Sequence, residues 1–198
     1  MSTSKTAKHT YHHGRLQASL LRAAEEMLEK QGLVALSVRA AARRAGVSHN
    51  APYRHFPDRE SLLAALAADG FARFARALEE GQARGGLRGR GEAYVRFALE
   101  NPQRFRLMFD GEVPMARHPA LREAATRAFA ALAGALAEYL PGVPSRDASI
   151  AAWALVHGLA SLLLNERIAL AMRAERSDEE FVRAVLGSVR FAAAQPAA

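Results

Sequence analysis

The stretch SVRAAARRAGVSHNAPYRHFPDRESLL, residues 37–63, decides the fold. Ser37 has the side chain of a helix N-cap, and Val38, Ala41, Ala42 and Ala45 follow at helical spacing. Gly46 closes that helix, since glycine tolerates the left-handed backbone of a helix C-terminus. Val47 fills the corner. Ser48 is then expected to cap a second helix bearing His49, Asn50, Tyr53, Arg54 and His55, which stops where Phe56 and Pro57 interrupt the pattern. A short, polar, aromatic second helix suits an element that enters a major groove while the first crosses the DNA backbone.

At these residues the chain resembles the TetR family of bacterial transcriptional repressors. The resemblance runs through Ala41 and Ala42, Gly46-Val47-Ser48, Tyr53-x-His55-Phe56, and Pro57-Asp58-Arg59-Glu60-x-Leu62-Leu63. Upstream, Leu20 to Leu36 looks like the family's first helix and its Gly turn. Two residues depart from the family pattern. Asn50 stands where Gly or Ala is usual, and Pro52 removes an early backbone donor from the expected second helix.

Charge agrees with a nucleic-acid partner. The net charge is +7, and residues 1–60 hold ten Lys or Arg against five Asp or Glu while the rest holds seventeen against fifteen. The excess therefore sits with the helix-turn-helix, where neutralising phosphates releases counterions. With half of its 198 residues hydrophobic, the chain can bury one sizeable core or a small domain plus a medium one. The absence of Cys excludes disulfides and thiolate zinc sites and fits a reducing cytoplasm. The longest apolar run, Ile150 to Leu164, is shorter than the roughly 20 residues of a bilayer span, and no signal peptide is visible, so a soluble cytoplasmic protein is expected.

Residues 1–13 are polar and are expected to form a flexible arm, with Lys5, Lys8 and Arg15 near a DNA backbone. His9, His12 and His13 lie there too, but adjacent His12 and His13 point apart on any regular element, so no metal site is expected. The helix-turn-helix domain is assigned to 14–60, and 61–198 to a second helical domain. A helix from Asp58 dissolves in GQARGGLRGRG, residues 81–91, read as a solvated hinge. That segment lacks the preceding strand and Gly-Lys-Ser ending of a phosphate loop. Beyond it every segment has helical period: Pro102 and Pro119 open helices, Asp147 to Asn165 is apolar almost all round, and Ser177-x-x-Glu180 is a capping box. The expectation is an all-α chain.

YVRFALENPQRFRLMF and AWALVHGLASLL resemble the regulatory half of one TetR subgroup, which carries Trp153-x-x-x-His157-Gly158. The resemblance implies a helical domain for ligand binding and dimerisation. Phe71, Phe74, Tyr94, Phe97, Phe105, Met108, Phe109, Met115, Phe129, Trp153 and His157 supply the large, adaptable side chains of an apolar pocket, with ordinary core packing as the alternative for each. For His157, one helical turn from Trp153, a ligand-facing imidazole and a satisfied core histidine fit equally. The last two helices offer Ala151, Ala154, Gly158 and Ala160 for close approach and Leu155, Leu159, Leu162, Val182, Val185, Leu186 and Val189 for area, which suits a two-fold dimer.

By the same resemblance, Tyr53, His55 and Arg59 contact phosphates with Ser37 and Ser48, while Arg39, His49, Asn50 and Arg54 reach base edges. Arg can take guanine O6 and N7 together, and Asn adenine N6 and N7. The implied protein is a repressor that binds a near-palindromic operator as a homodimer and is released by a small, largely apolar effector, with no cofactor. Two rivals differ in class. A non-specific architectural DNA binder shares the charge pattern, and a helical-bundle enzyme would need a nucleophile with a base, a carboxylate pair or a cofactor loop, none of which is evident.

Overall fold

Local sequence sets most helix ends. In the computed structural model, which describes residues 5–48, 50–139 and 145–189, and the side chains of 15–48, 50–134, 146–169 and 171–189, α1 (Lys5–Gln31) stops ahead of Gly32. Ser37 caps α2 (Val38–Arg44), its hydroxyl accepting from the Ala40 N–H at 3.1 Å. Gly46 follows at φ 68°, the left-handed position its sequence context demands. α3 (Arg59–Glu100) starts on Asp58, whose Oδ1 accepts from the Ser61 N–H at 2.7 Å while the Asp58 N–H donates to Ser61 Oγ at 3.3 Å. These bonds hold the Asp58 carboxyl below its usual range.

α4 (Pro102–Phe109) and α5 (Pro119–Tyr139) both open on proline, whose fixed φ suits a first helical turn. α6 (Ser145–Leu164), the single turn α7 (Leu170–Arg173) and α8 (Asp178–Ser188) complete the order. The capping box on α8 is present: Ser177 accepts from the Glu180 N–H, and Glu180 accepts from the Ser177 N–H at 2.9 Å. Among the described residues there is no strand, so the all-α expectation holds.

Two compact units emerge. The first comprises Met1–Gly70 and Gln103–Arg122, the second Phe71–Pro102 and Glu123–Ala198. In the first, α1 packs on α2 and on the 3-10 turn Pro52–Arg54, burying Leu20, Ala24, Leu28, Ala41, Ala42 and Phe56. In the second, the buried face of α6 (Ala152, Val156, Leu159, Ala160, Leu163) joins Leu78, Val95 and Ala98 of α3 in the core.

Five expectations change. The arm assigned to residues 1–13 is helical from Lys5 onward. The boundary at 60/61 falls inside continuous α3, and the first unit runs to Gly70 and reclaims 103–122. The helix expected from Ser48 is reduced to the 3-10 turn Pro52–Arg54, with Ala51 at its N-cap. Pro52 is the cause: an α-helix starting at Ser48 needs the residue-52 N–H on the Ser48 carbonyl, and proline has none, so the Ala51 N–H takes that carbonyl at 3.3 Å instead. The glycine segment 81–91 is not a hinge between domains but a helical hairpin inside the second unit. Helical geometry breaks only at Gly85 and Gly86, giving arms 59–84 and 87–100. Gly81 and Gly89 face each other so closely that a Cβ on either would collide with the other's carbonyl oxygen. Finally, Arg146–Leu164 of α6 is long and apolar enough to cross a membrane, although its buried face packs in the second unit as a core helix does.

Candidate nucleic-acid interface and regulatory site

The candidate DNA-facing surface is built on buried packing residues. Val38, Ala41 and Ala42 hold α2 down, and Pro52 and Phe56 anchor the 3-10 turn. Between these anchors Arg39, Asn50, Tyr53 and Arg54 stand exposed, with His55 half-buried beside the Phe56 ring. Arg43 adds exposed charge at the end of α2, and Arg44 is paired with Glu26 of α1. Pinning the turn with Pro52 rather than with helical hydrogen bonds gives the exposed ridge a fixed backbone at little entropic cost. His49 lies outside the described residues. Ser37 uses its hydroxyl on the α2 cap, while the Ser48 side chain is exposed and its carbonyl takes the turn hydrogen bond.

Arg59 also makes contacts within its own chain. Its Nε donates to the Leu36 carbonyl at 2.9 Å and its Nη2 to the Leu33 carbonyl at 2.9 Å, while Nη1 pairs with Glu112 at 3.4 Å. The guanidinium fork thus ties the Leu33–Ala35 3-10 turn, which leads into α2, to the first turn of α3.

A second set of polar fasteners holds 103–122 within the first unit. Arg104, only 3% exposed, directs Nη1 to Asp69 at 3.2 Å and Nη2 to Glu25. Met108 packs against Gly70, where a Cβ would meet the Met108 sulfur at 2.8 Å. His118 Nε2 lies 2.9 Å from Glu60, and Arg117 lies 3.6 Å from the same carboxylate. Burial pushes the neighbouring Glu29 carboxyl up, with Arg104 opposing the shift. Nothing in the local sequence singles out Arg104, because its partners lie 35 and 79 positions away.

The expected pocket residues divide between the units. Phe105, Met108, Phe109 and Met115 belong to the first, with the Phe105 and Phe109 rings 4.6 Å apart and Met115 partly exposed. Phe71, Phe74, Tyr94, Phe97, Trp153 and His157 belong to the second. There Tyr94 is fully buried at the centre. Phe74 meets it edge-on at 4.8 Å, and Phe97 lies 5.1 Å from Phe74. The Trp153 indole N–H donates to the Tyr94 hydroxyl at 3.1 Å, and that hydroxyl lies 2.9 Å from His157 Nδ1. Phe129 crosses Trp153 at 5.6 Å and is 37% exposed. Burial keeps the Tyr94 phenol neutral by pushing its pKa well up. A part-buried three-member polar chain inside an aromatic shell can orient a ligand's one polar group while the rings cover its apolar body.

Comparison with known proteins agrees with this architecture. Residues 20–66 match the model for bacterial regulatory proteins of the tetR family, and residues 87–189 match the tetracyclin repressor-like C-terminal domain. No curated protein matches. Among solved structures, a protein of unknown function from Rhodococcus sp. RHA1 is 34% identical with a TM-score of 0.73, covering 90% of this chain and 95% of that one. The TetR family transcriptional regulator PfmR from Thermus thermophilus is 23% identical with a TM-score of 0.58, over 85% and 91% of the two chains. The multidrug binding protein EbrR, solved with imidazole, is 22% identical with a TM-score of 0.56, over 86% and 92%. With the helix-turn-helix in its first unit and a family C-terminal domain over more than half its length, the chain belongs to the TetR family of transcription regulators.

Proposed function

We propose that this protein is a ligand-responsive repressor that binds a near-palindromic operator as a homodimer and is released by a small, largely apolar effector in the cytoplasm. The observation that carries the DNA half is the exposed ridge of Arg39, Asn50, Tyr53 and Arg54 over buried Pro52 and Phe56. Arg39, Asn50 and Arg54 read base edges, Asn50 using its amide where a smaller residue is usual, and Tyr53, His55 and Ser48 contact phosphates. His49 is assigned to a base edge with Arg39, Asn50 and Arg54. Arg59 joins the phosphate contacts with the part of its guanidinium left exposed. The half-sites lie about one helical turn apart, roughly 34 to 36 Å, or a multiple of it.

Dimerisation uses α6 and α8. Ile150, Ala151, Ala154 and Leu162 form an exposed stripe along α6, with Gly158 in line, and small residues there admit a second helix closely. The effector occupies the aromatic cluster of the second unit. The multidrug binding protein EbrR shares this fold. Converting a 1:99 balance of DNA-bound and released conformers to 99:1 takes about 5.5 kcal/mol of differential effector binding. α3 carries the signal because it runs through both units, and 103–122, pinned by Arg104, returns to the DNA-reading unit as a second route.

The test is binding to the promoter upstream of the protein's own gene against random DNA at fixed salt, for the parent, Arg39→Ala and Tyr53→Phe. The repressor reading expects a specificity ratio of about 10³ or more. Arg39→Ala should lose about 1–3 kcal/mol on the operator and little on random DNA. A ratio near one, the behaviour of an architectural DNA binder, overturns it.

A further inference from the structure

We propose that Glu112 is a built-in phosphate mimic: its carboxylate holds the face of the Arg59 guanidinium that a DNA phosphate would take, and so sets DNA affinity below what the cation alone would give. This rests on the reading of Arg59 as a phosphate contact.

A guanidinium has two faces that can bind an oxyanion with two parallel hydrogen bonds, one formed by Nε and Nη2, the other by Nη1 and Nη2. In Arg59 the first is committed to its own chain. Nε donates to the Leu36 carbonyl and Nη2 to the Leu33 carbonyl, each at 2.9 Å. The second face is the one left for a phosphate, and Glu112 Oε1 already lies on it, 3.4 Å from Nη1. The two side chains are 42% and 40% exposed, so this contact sits at the surface, where an exposed ion pair is weak enough to be exchanged.

The chain around Glu112 is shaped to present it. Gly111 turns the backbone at φ 77°, and Val113, 7% exposed, anchors the other side. Farther on, the His118 contact with Glu60 fastens the segment to the same first turn of α3 that carries Arg59. Glu112 is thus delivered from a segment pinned on both sides. All of these residues belong to the first unit.

Counterions make the mimic measurable. A phosphate that takes Arg59 displaces Glu112, and the freed carboxylate, now beside a like charge, draws a cation back from solution. Net cation release on binding is therefore smaller by about one than the count of neutralised phosphates.

The full-length parent, Glu112→Gln, Asp110→Asn and Arg59→Gln are titrated with a duplex of the promoter upstream of the gene and with random duplex, across a sodium chloride series. Glu112→Gln should bind both duplexes about five- to tenfold tighter, leave their ratio unchanged, and steepen the fall of log K with log salt by about 0.9. Asp110→Asn removes the same charge from an exposed position two residues away, and should change either affinity by less than about twofold. In an Arg59→Gln background the gain from Glu112→Gln should disappear. No gain from Glu112→Gln, an equal gain from Asp110→Asn, or a gain that survives Arg59→Gln overturns the mimic while leaving Arg59 as a phosphate contact. Parent affinity and salt slope in Arg59→Gln overturn that contact itself, and the mimic with it. Should Arg59→Gln lose its fold, the contrast between Glu112→Gln and Asp110→Asn decides alone.

Discussion

The DNA-reading unit and the regulatory unit are fastened by different physics. The first relies on directed polar contacts: the Ser37 and Asp58 caps, Arg59 on two carbonyls, and buried Arg104 between Glu25 and Asp69. The second adds close apolar contact, with facing glycines in the α3 hairpin and crossed rings around Tyr94, to more exposed ion pairs such as Arg183–Glu92. Directional bonds fix a surface that must match phosphate and base positions to within a hydrogen bond. An apolar cluster can repack around ligands of different outline, because dispersion contacts tolerate small shifts that hydrogen bonds do not. Arg104 is the sharpest case on one side, and the Gly81–Gly89 approach on the other.

Removing the cation should have the largest effect. Arg104→Ala leaves Glu25 and Asp69 facing an emptied site, and breaking a buried pair costs about 3 kcal/mol here, the low end because both carboxylates keep some water contact. Hydrogen exchange should show the loss in α1 and α4 with little change around Trp153. Equal deprotection of both units would erase the distinction between them. Next is Gly89→Ala, whose Cβ strikes the Gly81 carbonyl, a backbone atom with little room to yield. Overpacking of this kind costs about 2 kcal/mol, and chemical denaturation followed at Trp153 reads it. Gly134→Ala in α5, with open space around its Cβ, should instead stabilise by about 0.5 kcal/mol.

Ser37→Ala should cost about 1 kcal/mol by removing the α2 cap, and should weaken operator binding through loss of order in α2. The smallest effect is that of pH. Asp58 and Glu26 have folded pKa values below their unfolded ones, so the stability they add is complete above the unfolded carboxylate range, about 4, and is lost as pH falls through the depressed values. Glu29 works in reverse: its pKa is raised by burial, so its contribution is complete below that range and lost as pH rises through the raised value. Asp58→Asn, which can still accept from the Ser61 N–H, should flatten part of the acid limb in a pH series of thermal unfolding. An unchanged limb removes the cap from the acid response.

What the sequence revealed divides along the same line. Ser37, Gly46, Asp58 and the Ser177–Glu180 box act within three or four residues, so their patterns are visible in one dimension. Pro52 was visible as an obstacle, but whether it would shift the second helix or reduce it depended on which donor replaced its missing N–H. Arg104 looked like any arginine on a short helix, because its burial comes from α1 and α3, far along the chain. Glycines 81 to 91 carried a local signal with two meanings: flexibility and close approach need the same residue, and only tertiary packing selects between them. The polar chain through Tyr94 joins residues 59 and 63 positions apart, so no spacing rule brings them together.

The α3 hairpin has a consequence for how such a chain can diversify. Gly81 and Gly89 meet because seven residues separate them, with the reversal at Gly85 and Gly86 between. One inserted residue on either arm would turn the facing position by about 100° and present a side chain where only a hydrogen atom fits. Loop tips ordinarily absorb length changes freely; this one counts its residues, and insertions or deletions within it should be tolerated only in pairs that restore the match.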